Sequence, residues 1–330
     1  MIKQVKLAAL ALIVASGLTG CRKTPDNDVH SGVMTMVCDK SFENVIEQEI
    51  DLYEFQNPKS SILCNYVDET VALDSLMSGN TRTAILARDL TEAEMKKLKK
   101  EHQATRSMQI AVDAVALIVD TANNVNDITV SDLADILTGR VTDWNEIEPS
   151  NAGKIRVFFD SPGSSLQSFL RTNVMKGQPF SDKGNLFVTD GGSVAEVFRK
   201  VKQNKGAIGV VGVSWITTTL DTTDVSDSEL ESFVNEETTT AADFRSNTQI
   251  KVLGVRADDK PRAYKPFQQN IYDGTYPLTR PVYMITTAYS NSLAGGFFSF
   301  VTGTLGQKMI LKTGLMPARV NLQVVELPEQ

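Results

Sequence analysis

The chain predicts an α/β fold divided between two lobes, and three observations carry that prediction. Short apolar runs of strand character alternate with longer stretches of helical period along most of the length. Alternation of this kind builds βαβ units, whose sheets are mostly parallel or mixed and are flanked by helices. With 330 residues in all, and 310 (330 − 20) once an apolar leader is set aside, there is enough chain for two separate cores. No internal repeat or long low-complexity tract interrupts the pattern.

Taken in order, MTMVC (34–38) reads as a strand that runs into a helix over 42–55, with Ser41 placed as an N-cap and Glu43 and Glu47 suited to the first turns. SILCNYV (61–67) and TAILA (83–87) are the next strands, each followed by a helix, over 69–78 and 91–99. IAVDAVALIV (110–119) is a longer strand. The amphipathic run over 130–138 reads as a helix that stops at Gly139, a residue suited to the left-handed C-cap, before a turn holding Trp144. IRVFF (155–159) leads into a helix over 164–175, whose Leu166, Phe169 and Leu170 face inward. In TDGGSVAEVF (189–198), Gly191, Gly192 and Ser193 open a helix over 193–203, and their small size suits a cleft rim. AIGVVG (207–212), IKVLGV (250–255) and VYMITT (282–287) complete the strands. The stretch 217–245, rich in Thr, Ser, Asp and Glu, reads as surface, and a helix eased by glycines is expected over 292–312.

The amino terminus speaks to location. Lys3 and Lys6 precede LAALALIVASGL, an apolar run too short for a comfortable membrane span and ending in small residues, as in a signal peptide over 1–20. The sequence LTGC resembles a bacterial lipobox, so Cys21 is the expected first mature residue and lipidation site, and an ordinary secretory leader is the alternative. Residues 21–32 would form the lipidated cysteine and a polar tether, RKTPDNDVHSG.

Without the leader, which holds two lysines and no acids, the 33 basic residues become 31 against 40 acidic ones, a formal charge of 31 − 40 = −9. That balance disfavours a nucleic-acid partner. It does not exclude a small anion, because backbone N–H groups and hydroxyls hold oxyanions without net positive charge. The two histidines, His30 in the tether and His102 after a lysine-rich helix, leave no plausible Ser-His triad or histidine-rich metal site. Neither GxSxG, a P-loop nor zinc spacing is present, and GTLG (303–306) lacks the preceding strand of a dinucleotide site. The expectation is therefore no enzyme, no metal and no cofactor. Cys38 and Cys64 lie near the ends of neighbouring strands; a disulfide and two buried thiols both fit.

Four segments carry a resemblance: ILTGRVTDWNEI (136–147), GAIGVVGVSW (206–215), YPLTRPVYMI (276–285) and GQKMILKTGLMP (306–317). In this order they resemble the phosphate-binding proteins of ABC importers. The forms DxSF near the start and S(P/N)xSS in the middle are similar to lipid-anchored members from Gram-negative gut-type bacteria. The resemblance implies a periplasmic-binding-protein fold of type II, each lobe a mixed, mostly parallel sheet, with two hinge crossovers. Lobe I would comprise 33–112 plus 256–330, and lobe II 113–255. The implied function is capture of inorganic phosphate in the interlobe cleft for an inner-membrane ABC permease, by a monomer anchored to the membrane and facing the periplasm or cell surface. Another oxyanion such as sulfate or molybdate, a phosphate sensor, and a structural or adhesion lipoprotein with a degenerate site are the alternatives.

Phosphate at neutral pH still carries one or two protons, whereas sulfate carries none, so a selective site needs many donors and at least one carboxylate acceptor that repels sulfate. The resemblance carries binding onto Ser41 and the Phe42 backbone N–H, with Asp39 beside them. At the junction after TAILA, where the family usually reads S-R-x-L, Ala87 replaces the serine, and Arg88 remains a bidentate candidate. Thr91 capping the next helix with Arg88 in a surface ion pair is the competing view. The loop DSPGSS (160–165) is the strongest candidate: Gly163 shapes it, Ser164 and Ser165 supply hydroxyls, and Asp160 is the expected proton acceptor. Many relatives read S-G-T there with an arginine just upstream; here Arg156 lies inside the strand.

Overall fold

The computed structural model describes residues 28–102, 104–189, 193–217 and 249–319. The leader, Cys21, most of the tether, Gly191, Gly192 and nearly all of 217–245 lie outside the described residues.

The chain begins with β1 (Ser31–Asp39), a single 3-10 turn, α1 (Glu43–Gln56), β2 (Lys59–Val67), α2 (Glu69–Met77), β3 (Thr83–Leu86) and α3 (Glu92–Glu101). These strands pair in parallel, β1 with both β2 and β3, as successive βαβ units must. Then comes β4 (Arg106–Asp120), fifteen residues long and almost wholly buried from Ile110 to Val119. A run apolar on both faces is what a strand covered on both sides requires.

The second half of the chain contributes β5 (Asp127–Thr129), α4 (Val130–Leu137), β6 (Arg156–Phe159), α5 (Ser165–Phe169), β7 (Leu186–Val188), α6 (Val194–Gln203) and β8 (Ala207–Gly212). It closes with β9 (Ile250–Val252), β10 (Gly254–Arg256), α7 (Gln268–Tyr272), β11 (Thr279–Thr286), α8 (Leu293–Val301), α9 (Thr304–Lys312) and β12 (Met316–Pro317). The strand order is β2-β1-β3-β11-β4-β8-β6-β7, with β9 and β12 also on β4. Along β4, residues 106–114 pair with β11, and residues 115–120 pair with β8 and β9. One strand thus joins the β11 side of the sheet to the β8 side. Chain leaving along β4 and returning along β11 runs in opposite directions, so these central pairings are antiparallel while the flanks are parallel.

Three expected elements divide. The helix over 164–175 is α5 followed by a π-helical turn at Leu170–Val174. The helix over 292–312 breaks at Thr302 and Gly303 into α8 and α9. IKVLGV separates into β9 and β10, because β10 leaves the main sheet to pair with β5. The short β5, β7, β12 and α7 carry too few residues for periodicity to show.

The turn after α4 is a core element. Gly139 has φ 74°, and a Cβ there would meet Ser181 Oγ at 2.3 Å, so both backbone and space call for glycine. Trp144 is fully buried, and its Nε1 donates to the Gly206 carbonyl at 3.1 Å. Cys38 and Cys64 are free thiols: the register pairs Met36 with Cys64 and Cys38 with Tyr66, leaving the two cysteines two residues out of step on parallel strands.

Glu49 on α1 is fully buried, and neither carboxylate oxygen has a partner among the described residues. Gly306 of α9 packs so close that a Cβ there would lie 2.9 Å from Glu49 Oε2. Burial pushes this carboxyl well above its ordinary value. A raised folded-state pKa contributes stability that is complete below the unfolded value and is lost as pH rises through the folded one. Glu49→Gln is therefore expected to flatten the loss of stability at alkaline pH, with a melting-temperature gap over wild type that widens as pH rises; a constant gap contradicts the assignment.

Candidate functional site

Two opposite charges sit inside otherwise apolar strands. Asp113 interrupts β4 near the point where its pairing passes from β11 to β8, and Arg280 lies on β11, paired directly across from it in the ladder. Both side chains are buried, at 1% and 0% exposure, and Arg280 Nε meets Asp113 Oδ2 at 2.8 Å. Burial pushes the Asp113 carboxyl up, opposed by the Arg280 charge and hydrogen bond. The Val213 N–H, just after β8, donates to Asp113 Oδ1 at 3.3 Å. The pair thus fixes a guanidinium where the pairing of β4 passes from β11 to β8.

That guanidinium reaches two strand-to-helix junctions. Its Nη2 donates to Ser41 Oγ at 3.0 Å and its Nη1 to Ser165 Oγ at 2.6 Å, while the two hydroxyl oxygens are 3.1 Å apart. Its central carbon lies 4.9 Å from the Phe42 ring centre, a cation–π contact that holds the plane of the fork. Ser41 stands in the 3-10 turn between β1 and α1. Asp39 caps that turn, with Oδ1 accepting from the Ser41 N–H at 3.0 Å and the Ser41 hydroxyl at 2.9 Å. From the turn after β8, Trp215 Nε1 donates to the Ser41 carbonyl at 3.1 Å.

The loop between β6 and α5 closes the cluster. Ser164 caps α5 by accepting from the Leu166 N–H at 3.2 Å. Asp160 is 1% exposed, and its Oδ1 has no partner among the described residues. Burial raises its carboxyl, opposed by the Ser164 hydroxyl and the Lys40 charge. The loop also touches the start of α2 and the turn after β1: Ser161 Oγ donates to Asp68 Oδ1 at 2.9 Å, and Lys40 Nζ lies 3.1 Å from the same oxygen. Gly163 packs against Asp68, where a Cβ would come within 2.6 Å of Oδ2.

Of the residues expected from sequence, the structure brings Asp39, Ser41, Phe42, Asp160, Gly163, Ser164 and Ser165 to one junction. It does not bring Arg88 there. That guanidinium grips both oxygens of Glu94 at 2.9 Å in the capping turn of α3 and draws the Glu94 carboxyl down to about 2. Arg280 and Asp113 are absent from the expected set although both lie within segments read from the sequence. Their signal was one charge of each sign beside apolar runs, Asp113 within IAVDAVALIV and Arg280 just before PVYMI, where each needs the other. Among the described residues no cluster of three metal ligands occurs, and no helix is long and apolar enough to cross a membrane.

The chain is 23% identical over 237 residues to the phosphate-binding protein PstS of Staphylococcus saprophyticus, covering 71% of this chain but only 64% of that relative. With the PstS phosphate-binding protein of Pseudomonas aeruginosa, 20% identity extends over 92% of this chain and 84% of the relative. Among solved structures, a Clostridium perfringens protein with bound phosphate superposes with a TM-score of 0.65 at 21% identity, covering 87% of this chain and 100% of that one. An ABC-type phosphate transport receptor from Vibrio cholerae gives 0.61 at 20% identity, with 87% and 100% covered. These likenesses establish the shared two-lobed α/β fold. The model of the PBP superfamily domain matches residues 26–304, most of the length, and the chain belongs to that superfamily.

Proposed function

We propose that this protein is an extracytoplasmic solute-binding protein that captures inorganic phosphate between its lobes for an ABC importer. The observation that carries the reading is the meeting of Ser41, Ser165 and the Arg280 fork, from both lobes, beside the partnerless buried oxygen of Asp160. The Arg280 fork donates to both hydroxyls, the hydroxyls meet each other, and Ser41 also donates to Asp39. A tetrahedral oxyanion entering the junction would replace each mutual contact with one of its own oxygens, and two N–H groups of one guanidinium suit a pair of them. Asp160 then accepts a proton that phosphate has and sulfate lacks. Because ligand contacts come from both lobes, binding favours the closed arrangement, the state a transporter can recognise.

The lobes in this reading are 33–112 plus 256–330 and 113–255, joined through β4 and the return into β11. Cys21 carries the lipid anchor after loss of residues 1–20, and the protein acts as a monomer. The likeness to phosphate-binding proteins and to an ABC-type phosphate transport receptor supports the phosphate assignment and the importer context.

Calorimetric titration with phosphate, sulfate and molybdate tests the ligand: phosphate alone should bind at micromolar concentration or tighter. Asp160→Asn exchanges an acceptor for an amide that also donates. A hydrogen bond to a charged group is worth about 1.5–3 kcal/mol, so phosphate should weaken roughly 10- to 100-fold while sulfate gains relative to it. Unchanged selectivity removes Asp160 from the role of proton acceptor.

A further inference from the structure

The junction holds one acceptor more than a singly protonated anion can use. Asp39 uses Oδ1 for the two Ser41 donors, and its Oδ2 is fully buried with no partner among the described residues. Asp160 Oδ1 is the second such oxygen, and each residue is 1% exposed. The two come from different lobes and are near enough for the Asp39 charge to help raise the Asp160 carboxyl.

Among the described residues, the cations around the junction are already paired. Lys40 is paired with Asp68 and Arg280 with Asp113, while Arg88 is engaged by Glu94. Glu69, on α2, adds another carboxylate: its Oε1 accepts from the Ala87 N–H at 2.8 Å, and burial together with the Asp39 charge raises it. Around the Asp39 end of β1, the Cys38 and Cys64 thiols, the Tyr66 phenol, Glu43 and Glu47 bring no positive charge. Lys40 only partly offsets Asp160, as Arg280 and Arg88 do Glu69, so with Asp39 the carboxylates outweigh the cations at the junction. A second negative charge on the ligand would be repelled in this setting. A dianion with one proton would also leave one of the two orphaned oxygens desolvated and unpaired.

Building on the phosphate reading, we propose that Asp39 is a second proton acceptor and that the site selects monoanionic phosphate, with its two protons, over the dianion. Each ligand proton then meets one buried oxygen, Asp39 Oδ2 from lobe I and Asp160 Oδ1 from lobe II, so the protons as well as the anionic oxygens bridge the lobes. Selection here is by protonation state, a finer discrimination than phosphate against sulfate.

The test is calorimetric titration of the protein from mildly acidic to mildly alkaline pH with two ligands, inorganic phosphate and thiophosphate, whose second proton leaves at lower pH. The expected result is an apparent affinity, on total ligand, that falls about tenfold per pH unit above each ligand's own second ionisation, with the thiophosphate midpoint at lower pH. Asp39→Asn should flatten that slope with the circular dichroism spectrum unchanged. Midpoints that coincide for the two ligands place the titration on the protein and overturn the proposal, as does phosphate affinity that is flat or rises with pH; the phosphate reading survives either result. A folded protein that binds phosphate at no pH overturns the phosphate reading itself. The two-ligand comparison uses the unaltered chain and decides the matter even if Asp39→Asn does not fold.

Discussion

Arg280→Met is expected to lower the stability of the protein by about 3–5 kcal/mol and to abolish phosphate binding. The substitution keeps the packing volume but leaves Asp113 buried without its partner, at 1% exposure and with only backbone N–H groups to oppose its desolvation. The Asp113 carboxyl, already raised by burial, would rise further. A folded-state pKa above the unfolded value means that its contribution to stability is complete below the unfolded value and is lost as pH rises through the folded one. The gap between wild type and variant should therefore be widest near neutral pH and narrow on acidification, as read from urea denaturation at a series of pH values. Removing both charges, with Arg280→Met and Asp113→Leu together, should restore most of the stability, because a buried ion pair is often no more stabilising than apolar residues of similar volume. Binding should not return, since the fork that joins Ser41 to Ser165 is gone. If the single variant is as stable as wild type at neutral pH, the pair does not anchor the junction.

Trp144→Ala has an expected effect of similar size on stability and almost none on the site. Deleting a fully buried tryptophan removes its packing and the bond to the Gly206 carbonyl, which amounts to about 3–5 kcal/mol. The indole lies at the turn after α4 and bonds to the Gly206 carbonyl, a group with no part in the junction. Phosphate affinity measured well below the melting temperature should stay within a few-fold of wild type, while the urea midpoint falls sharply. A large loss of affinity in the folded variant would show that this turn governs the cleft.

These two residues mark what was legible in the chain. ILTGRVTDWNEI was readable as a helix, a left-handed glycine and a buried aromatic, since the period, the cap and the turn all act within a dozen residues. The parallel flanks followed equally from local alternation. The antiparallel centre did not, because the pairing of β4 with β11 joins residues far apart in sequence and depends on the direction in which the chain returns.

The site divides along the same line. Ser41, Ser164 and Asp160 announced themselves at strand-to-helix junctions, where capping chemistry is local. Arg88 looked similar, yet TEAE supplied Glu94 three residues beyond the Thr91 cap, and that nearby carboxylate took the guanidinium. Arg280 and Asp113 stood inside strands whose apolar run concealed them, and their partnership became visible only when the ladder set them opposite each other. A charge in a strand buried on both faces is a request for a partner of the other sign. Looking for that partner among the remaining buried strands would have found the pair.

A crystal structure of the protein grown with excess orthophosphate tests the central claim most directly. The account predicts a tetrahedral anion within hydrogen-bonding distance of Ser41 Oγ, Ser165 Oγ, the Arg280 fork and a carboxylate oxygen of Asp160. An anion bound away from that junction, with Arg280 still donating to the two serines, would contradict it.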